Sequence, residues 1–123
     1  DHGGGSFVHL GSAGHDWWPA KDGMSVAVKA ANEQLMKGIA KEEGKHGIRA
    51  NSVLVGGIDA GQLHRLTELG QLDAAWVEET HKLLCIKRWG TPAEIGHAAV
   101  YFASNEAAYT TGQTISVSGG FGV

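Results

Sequence analysis

The sequence contains one cysteine, Cys85, in 123 residues, which excludes an intramolecular disulfide and is typical of proteins in a reducing compartment. No apolar run approaches the ~20 residues that a membrane-spanning helix needs. Acidic residues outnumber basic ones, and a formal net charge of -3 gives no basic surface for nucleic acid. We therefore predict a cytoplasmic protein with neither nucleic acid nor a membrane among its partners.

The residues that are abundant indicate a folded domain. A hydrophobic fraction of 42% and four tryptophans are values of globular proteins, and 19 glycines indicate many tight turns. A length of 123 residues corresponds to one domain at most. Residues 1–5 include neither an initiator methionine nor a basic segment, so we expect them to be the interior of a longer protein rather than a signal peptide.

Short apolar segments that alternate with helical patterns predict the fold class. The predicted strands are residues 7–10, 48–55 and 114–117. Between the second and third strands, residues 62–84 predict two short helices interrupted at Gly70, and a further helix follows. Thr91, Pro92 and Glu94 give that helix an N-cap, a first-turn proline and a capping-box glutamate. Strands separated by helices favour a parallel sheet with right-handed crossovers, hence an α/β fold.

A long helix is predicted between the first two strands. Either Asp22 or Ser25 can cap its start, and Gly44 is its predicted end. Its apolar residues recur at helical spacing, so we expect a buried face of Val28, Ala31, Leu35 and Ile39. Charged residues four apart on another face predict a solvated ladder of Lys29, Glu33 and Lys37.

The candidate site lies where the first strand ends and this helix begins. Ser12 follows the strand and Lys29 lies about one turn into the helix. Open α/β sheets bind ligands at the carboxyl ends of their strands. Residues 56–61, after the second strand, contain three glycines that let the backbone approach a ligand closely. We therefore expect Ser12, Lys29 and this loop to converge on one cleft.

Four segments carry a family resemblance. They are residues 4–12 (GGSFVHLGS), 51–60 (NSVLVGGIDA), 88–95 (RWGTPAEI) and 111–121 (TGQTISVSGGF). In this order and spacing they resemble the C-terminal half of a short-chain dehydrogenase/reductase, a family of NAD(P)-dependent oxidoreductases. The resemblance implies the C-terminal half of a Rossmann-type doubly wound parallel sheet, with three strands alternating with helices. Residues 1–123 would then form one partial domain that lacks the N-terminal dinucleotide-binding half.

The resemblance also implies a role for particular residues. Ser12 corresponds to the catalytic serine, and Lys29 to the lysine that binds the cofactor ribose and assists the neighbouring catalytic hydroxyl. Ser25 stands at the position of the catalytic tyrosine. NAD or NADP is then expected to contact Lys29, Val55, Gly56, Ile58 and Ala60. The expected substrate is a small carbonyl compound or alcohol, and the expected partner is a second copy of the chain or the missing N-terminal half.

Departures from the family pattern predict impaired chemistry. A phenol starts near pKa 10, whereas a serine hydroxyl is a much weaker acid. Loss of a positioned general acid costs ~10²–10⁴-fold in rate, so Ser25 predicts a chain that is impaired or inactive alone. Val55 and Ala60 replace the family's loop proline and threonine. The family's glycine-rich phosphate loop belongs to the missing half, since Gly3–Gly5 precede a strand rather than a helix.

Two other functions remain open from the sequence. In the first, the chain is a non-catalytic binding or scaffold module that keeps the fold. In the other it is a hydrolase that uses Ser12 with His15 and Asp16. Trp17 and Trp18 would line a substrate wall or a subunit contact. We predict no metal site.

Overall fold

The structure is a computed structural model that describes residues 3–15 and 22–123. Within these residues the strands β1 to β3 span Gly5–Ser12, Ile48–Val55 and Thr114–Val117. The helices α1 to α4 span Gly23–Glu43, Gly61–Glu68, Ala74–Leu83 and Pro92–Ala103. Short 3₁₀ turns cover Ala13–His15, Gly44–His46 and Asn105–Ala107. Asp16, Trp17 and Trp18 lie outside the described residues, so the predictions made for them stay predictions.

The three strands form one parallel sheet in the order β1-β2-β3. Ser12 pairs with Val55, and Val55 pairs with Val117, so the three strands end at the same edge. The predicted α/β fold with strands alternating with helices is confirmed. The predicted bounds of β2 and β3 are also correct, whereas β1 extends beyond the predicted residues 7–10 at both ends.

The central strand β2 is covered on both faces. Val53 packs in a buried cluster with Ile95 and Phe102 of α4. Ser52, its neighbour in the strand, pairs with Thr114, whose hydroxyl donates a hydrogen bond to Glu33 of α1. Since successive strand residues point to opposite faces, α4 covers one face of the sheet and α1 the other. This explains why β2 reads as a near-continuous buried run instead of an alternating one.

The predicted buried face of α1 is wrong. Val28 and Leu35 are 63% and 56% exposed, whereas Val26 and Glu33 face the sheet and are 1% and 5% exposed. The predicted Lys29, Glu33 and Lys37 ladder is therefore not solvated at its centre. The error has a physical reason: a buried carboxylate sits where hydrophobic periodicity expects an apolar side chain, so the pattern points to the opposite face.

The predicted ends of α1 also need correction. Asp22 stands at the N-cap position, but its side chain makes no capping hydrogen bond. Ser25 lies inside the first turn and is not the cap. Gly44 is right-handed and continues into a 3₁₀ turn, and the chain reverses instead at Gly47, which adopts a left-handed φ of 73°. A left-handed position is where glycine is favoured, so Gly47 is the stop signal.

The start of α4 is confirmed as predicted. Thr91 Oγ1 accepts the backbone N–H of Glu94, and the Glu94 carboxylate accepts the backbone N–H of Thr91, with Pro92 at the first helical position. Arg88 adds a bidentate ion pair to the same carboxylate at 2.6 and 3.0 Å. Hydrogen bonds from Arg88, followed by the N–H of Thr91, lower the pKa of Glu94 to about 2.

Acid should remove the contribution of Glu94 to stability. Its pKa is lower in the folded chain than the ordinary value of 4.5, so the contribution is present above pH 4.5 and is lost as the pH falls towards 2. We expect Glu94→Gln to lower the free energy of unfolding at pH 6 and to converge with the wild type near pH 2. Urea unfolding followed by tryptophan fluorescence measures this difference. Glu42→Gln, at an exposed site on α1, is the control. Parallel pH profiles for the wild type and Glu94→Gln would contradict the prediction.

Candidate functional site

A cleft of about 910 Å³ opens across the edge where the strands end. Its walls are the end of β1, the first turns of α1, the loop after β2, and the α2–α3 segment. All the residues that the sequence predicted for catalysis or cofactor binding line this one cleft: Ser12, Ser25, Lys29, Val55, Gly56, Ile58 and Ala60. The predicted convergence of Ser12 and Lys29 on one cleft is therefore present, while the chemical roles of the seven residues stay predictions.

Ser12 is held by the turn that follows β1. Its Oγ accepts the backbone N–H of Gly14 at 3.1 Å, and Ala13 and Gly14 are buried beneath it. The hydroxyl proton of Ser12 is free to be donated, because this hydrogen bond uses the oxygen only as an acceptor. Ser12 can therefore donate to a ligand oxygen in the cleft.

Ser25 and Lys29 lie one turn apart on α1 and contact each other. The ammonium Nζ of Lys29 donates to Ser25 Oγ at 3.0 Å. A cation beside a hydroxyl favours the deprotonated form of that hydroxyl. The arrangement is a hydroxyl–lysine pair that lines the cleft.

Glycines in the loop after β2 accommodate other parts of the chain. A Cβ at Gly56 would lie 2.5 Å from Ser118 Cα, and one at Gly57 would lie 2.4 Å from the ring of Trp89. Gly57 O also accepts the N–H of Gly90 at 2.9 Å. The sequence interpretation, in which these glycines admit a ligand, is thus incomplete: both also allow the close packing that closes the cleft floor.

A buried polar network that the sequence did not reveal joins the site to the sheet. Glu33, one turn after Lys29, lies 2.5 Å from His15 Nδ1 and accepts the hydroxyl of Thr114 at 3.1 Å. Lys37 lies 3.8 Å from the same carboxylate. His15 belongs to the turn after Ser12, so Glu33 connects that turn to α1 and to β3. Glu33 lies seven positions after Val26 and therefore on the same face of α1. Because Glu33 is charged, a hydrophobic pattern does not identify that face as the buried one.

The hydrolase interpretation receives no support from this geometry. His15 pairs with Glu33, and Ser12 pairs with a backbone N–H; no hydrogen bond joins Ser12 to His15 among the described residues. A serine nucleophile needs its base within hydrogen-bond reach. In residues 3–15 and 22–123, no group of three or more histidine, cysteine, aspartate or glutamate side chains is placed to hold a metal ion.

Aromatic and apolar side chains form the wall opposite Ser25. Trp76 of α3 and Trp89, just before α4, stack with ring centroids 6.2 Å apart and an angle of 21° between the planes. Both line the cleft. The sequence offered Trp76 only as one apolar residue in a broken helical pattern, because its partner lies thirteen positions away in another segment.

The charges in the cleft favour a neutral or cationic ligand. Among the described residues that line it, Lys29 is the one cation, and the anions are Asp22, Asp73 and Glu79. Lys29 fits the ribose hydroxyls of a nicotinamide cofactor, and the loop after β2 offers backbone groups beside it. The two phosphates of such a cofactor find no set of cations among these lining residues, although the lining includes the first turns of α1 and α2, with Asp22 and Ser25 in one and Ala60 and Gln62 in the other. The site therefore offers Lys29 to the nicotinamide-riboside end of the cofactor, and helix N–H groups without paired cations to its diphosphate.

An open parallel sheet with its cleft at the carboxyl ends of the strands defines a Rossmann-type protein. The family described as enoyl-(acyl carrier protein) reductase matches residues 1–122. The chain belongs to the short-chain dehydrogenase/reductase family. The described helices include none with the length and apolar character required to cross a membrane.

Known relatives are similar over nearly the whole chain. It is 33% identical to the short chain dehydrogenase/reductase astE of Aspergillus oryzae, covering 96% of this chain and 44% of that protein. It is 32% identical to the 3-oxoacyl-[acyl-carrier-protein] reductase MabA of Mycobacterium bovis, covering 97% and 46%. A crystal structure of a gluconate 5-dehydrogenase from Burkholderia cenocepacia, in complex with NADP and tartrate, superposes with a TM-score of 0.86 at 28% identity. That match covers 97% of this chain and 45% of the other. The chain thus spans less than half the length of these relatives.

Removal of the buried carboxylate should destabilise the fold more than removal of its exposed partner. Glu33→Ala leaves Thr114 and His15 without their acceptor, so we expect a loss of about 1–3 kcal/mol in the free energy of unfolding. Lys37→Ala removes only a half-exposed ion-pair partner and should cost less than about 1 kcal/mol. Urea unfolding of both variants at neutral pH measures the two losses. Equal losses would show that Glu33 acts as a surface residue.

Proposed function

We propose that the chain is the catalytic half of an NAD(P)-dependent oxidoreductase that interconverts a carbonyl compound and an alcohol. The observation that carries the proposal is the 3.0 Å contact of Lys29 Nζ with Ser25 Oγ, in the same cleft as Ser12. The NADP complex of the gluconate 5-dehydrogenase relative supports the choice of cofactor. The cytoplasmic location expected from the sequence stays a prediction.

Each of the three polar side chains has one task in this proposal. When bound, the reduced nicotinamide supplies the hydride that adds to the carbonyl carbon. Ser12 donates its hydroxyl proton in a hydrogen bond to the carbonyl oxygen and so orients it. Lys29 donates to the ribose hydroxyls and to Ser25. Ser25 is the remaining hydroxyl that can pass a proton to the substrate oxygen, and it is a poor acid compared with a phenol.

The proposal predicts slow turnover together with retained binding. Binding depends on Lys29 and on the backbone of the loop after β2, both of which are in place. Proton transfer depends on an acid that Ser25 replaces poorly, at a cost of ~10²–10⁴-fold. Because the described lining residues offer the diphosphate no set of cations, we propose that a second copy of the chain completes the cofactor site.

The outer face of α1 supports a homo-oligomer as part of the proposal. Met24, Val28 and Leu35 are 87%, 63% and 56% exposed and fall along one side of the helix. An apolar stripe on a helix is suited to a two-fold contact in which it meets its own copy. The exposed apolar residues that made the predicted inner face wrong are thus explained as a contact surface.

Titration with NADH and NADPH tests the cofactor assignment directly. We expect saturable binding, detected by cofactor fluorescence, that weakens at least tenfold in Lys29→Met, because the ribose loses its ammonium donor. Lys41→Met, which removes an exposed lysine near the other end of α1, is the matched control and should bind as the wild type. Absence of binding by the wild type, in the presence of excess chain, would overturn the proposal.

Restoring the phenol should restore rate. We expect Ser25→Tyr to raise the rate of NAD(P)H oxidation, measured with a panel of small ketones, by ~10²-fold or more. Ser25→Phe adds the same ring without its hydroxyl and should give no gain. An equal gain in both variants would show that ring packing, and not proton donation, limits the rate.

A charge on the outer stripe of α1 should abolish self-association. We expect the wild type to sediment as a dimer or larger species and Val28→Glu to sediment as a monomer, because burial of an unpaired carboxylate is costly. Lys41→Glu, elsewhere on the same helix, should leave the association unchanged. A monomeric wild type at high concentration would contradict the prediction.

A further inference from the structure

We define the aromatic wall as Trp76 and Trp89. Trp89 is fixed by packing, whereas Trp76 is partly exposed to the cleft. Trp89 lies against Gly57, where even a Cβ would overlap its ring, and it contacts the ring of His81 with centroids 4.3 Å apart. Trp76 stacks on Trp89 and remains 44% exposed while lining the cleft. The fixed ring thus holds the open ring in place and leaves part of it available to a ligand.

The part of the cleft that the α2–α3 segment forms is rich in leucine and also carries the polar side chains of Gln62, Gln71, Asp73, Glu79 and Thr80. The cleft on this side is lined by leucines of the α2–α3 segment and by one further aromatic residue near the end of the chain: Leu63, Leu66, Leu72, Leu83, Leu84 and Phe121. Apolar walls with a few polar groups are typical of sites that orient a hydrophobic ligand by one polar end. Here the hydroxyl of Ser12 and the Ser25–Lys29 pair offer that polar end.

The acids on this side of the cleft are already engaged. Asp73 Oδ1 accepts the N–H of Ala75 as the cap of α3, and Glu79 Oε1 accepts from Lys82 at 2.7 Å. Lys29, the cation among the described lining residues, is bonded to Ser25. Among the described lining residues, a carboxylate or phosphate carried next to Trp76 would therefore find acidic neighbours and no cation that is not already hydrogen-bonded, and it would lose hydration as well.

Resting on the proposed function, we propose that the substrate is an uncharged ketone or secondary alcohol that carries a planar aromatic ring. The ring stacks on Trp76, and the oxygen points to Ser12. Offset stacking of two rings and burial of their faces supply the affinity. Trp76 is then the residue that determines specificity, through the ring it selects and the charge it excludes.

Direct binding tests this substrate class without requiring turnover. Isothermal titration of the full chain compares 2-acetylnaphthalene with 6-acetyl-2-naphthoic acid, which has the same rings and ketone plus a carboxylate. We expect the neutral ketone to bind at least tenfold more tightly. Trp76→Leu, which keeps apolar bulk but removes the ring, should weaken its binding about tenfold, and Trp76→Phe should retain most of it. Tyr109→Ala removes a fully exposed aromatic side chain outside this cleft and is the control.

The outcomes separate this inference from the proposed function. Three results would overturn the inference, even where NADH binds. They are tighter binding of the carboxylate than of the neutral ketone, equal binding of the ketone to the wild type and to a correctly folded Trp76→Leu, and no binding of the ketone at all. Circular dichroism checks the fold of each variant, and Trp76→Phe keeps the test decisive if Trp76→Leu does not fold. Ketone binding that depends on Trp76 while NADH and NADPH both fail to bind would support the aromatic wall and overturn the oxidoreductase assignment.

Discussion

The in-register parallel pairing of β1 with β2 is the constraint on which the site depends. It sets Ser12 beside Val55, so the serine and the loop that follows Val55 leave the sheet at the same edge. Two parallel strands that follow one another in the chain also require a crossover connection. The helix α1 is that crossover, and its first turns lie at the same edge as Ser12. A slip of one residue would turn every side chain of β1 to the opposite face, and Ser12 would leave the cleft. The convergence of Ser12 with the Ser25–Lys29 pair is thus a consequence of strand register and crossover length, before any side chain contributes energy.

Glu33 then fixes the rotation of α1 over the strands that the register aligns. A buried carboxylate is costly unless hydrogen bonds and a cation compensate its lost hydration. The contacts with His15 and Thr114 provide the hydrogen bonds, and Lys37 lies close enough to add a favourable charge interaction. Because these partners come from the turn after β1, from β3 and from α1 itself, the network holds the helix at one rotation over the sheet. That rotation decides that Lys29 reaches the cleft and that Val28 faces outward. A leucine in place of Glu33 would add apolar burial but would specify the rotation less strictly.

The sequence predicted the elements better than it predicted their faces. The bounds of β2 and β3 were readable because both contain β-branched residues and lie between glycines, and the start of α4 was readable because Thr91, Pro92 and Glu94 form a local capping motif. The buried face of α1 was not readable, since the hydrogen-bond partners of the buried Glu33 are distant in sequence: Thr114 lies 81 positions away and His15 lies 18 positions away. The candidate site residues were placed by family resemblance and by the rule for parallel sheets, and the structure brings them to one cleft. The pairing of Trp76 with Trp89 depends on the absence of a side chain at Gly57, and no local pattern expresses that dependence.

The charge of the cleft bears on both the proposed cofactor and the proposed substrate. Asp22, Asp73 and Glu79 surround a cleft in which Lys29 is the cation among the described lining residues, and Lys29 already donates to Ser25. The diphosphate of a nicotinamide cofactor would therefore find no second cation among these residues, and its binding would depend on the N–H groups at the starts of α1 and α2 and on groups that face it from elsewhere. The same acids leave room for a neutral ring on Trp76 and a carbonyl oxygen near Ser12. In the proposed function, a serine rather than a phenol at position 25 alters neither condition, because it weakens the proton donor without changing the charge or the apolar wall. Recognition and proton transfer would then depend on separate side chains, and loss of the second would not entail loss of the first.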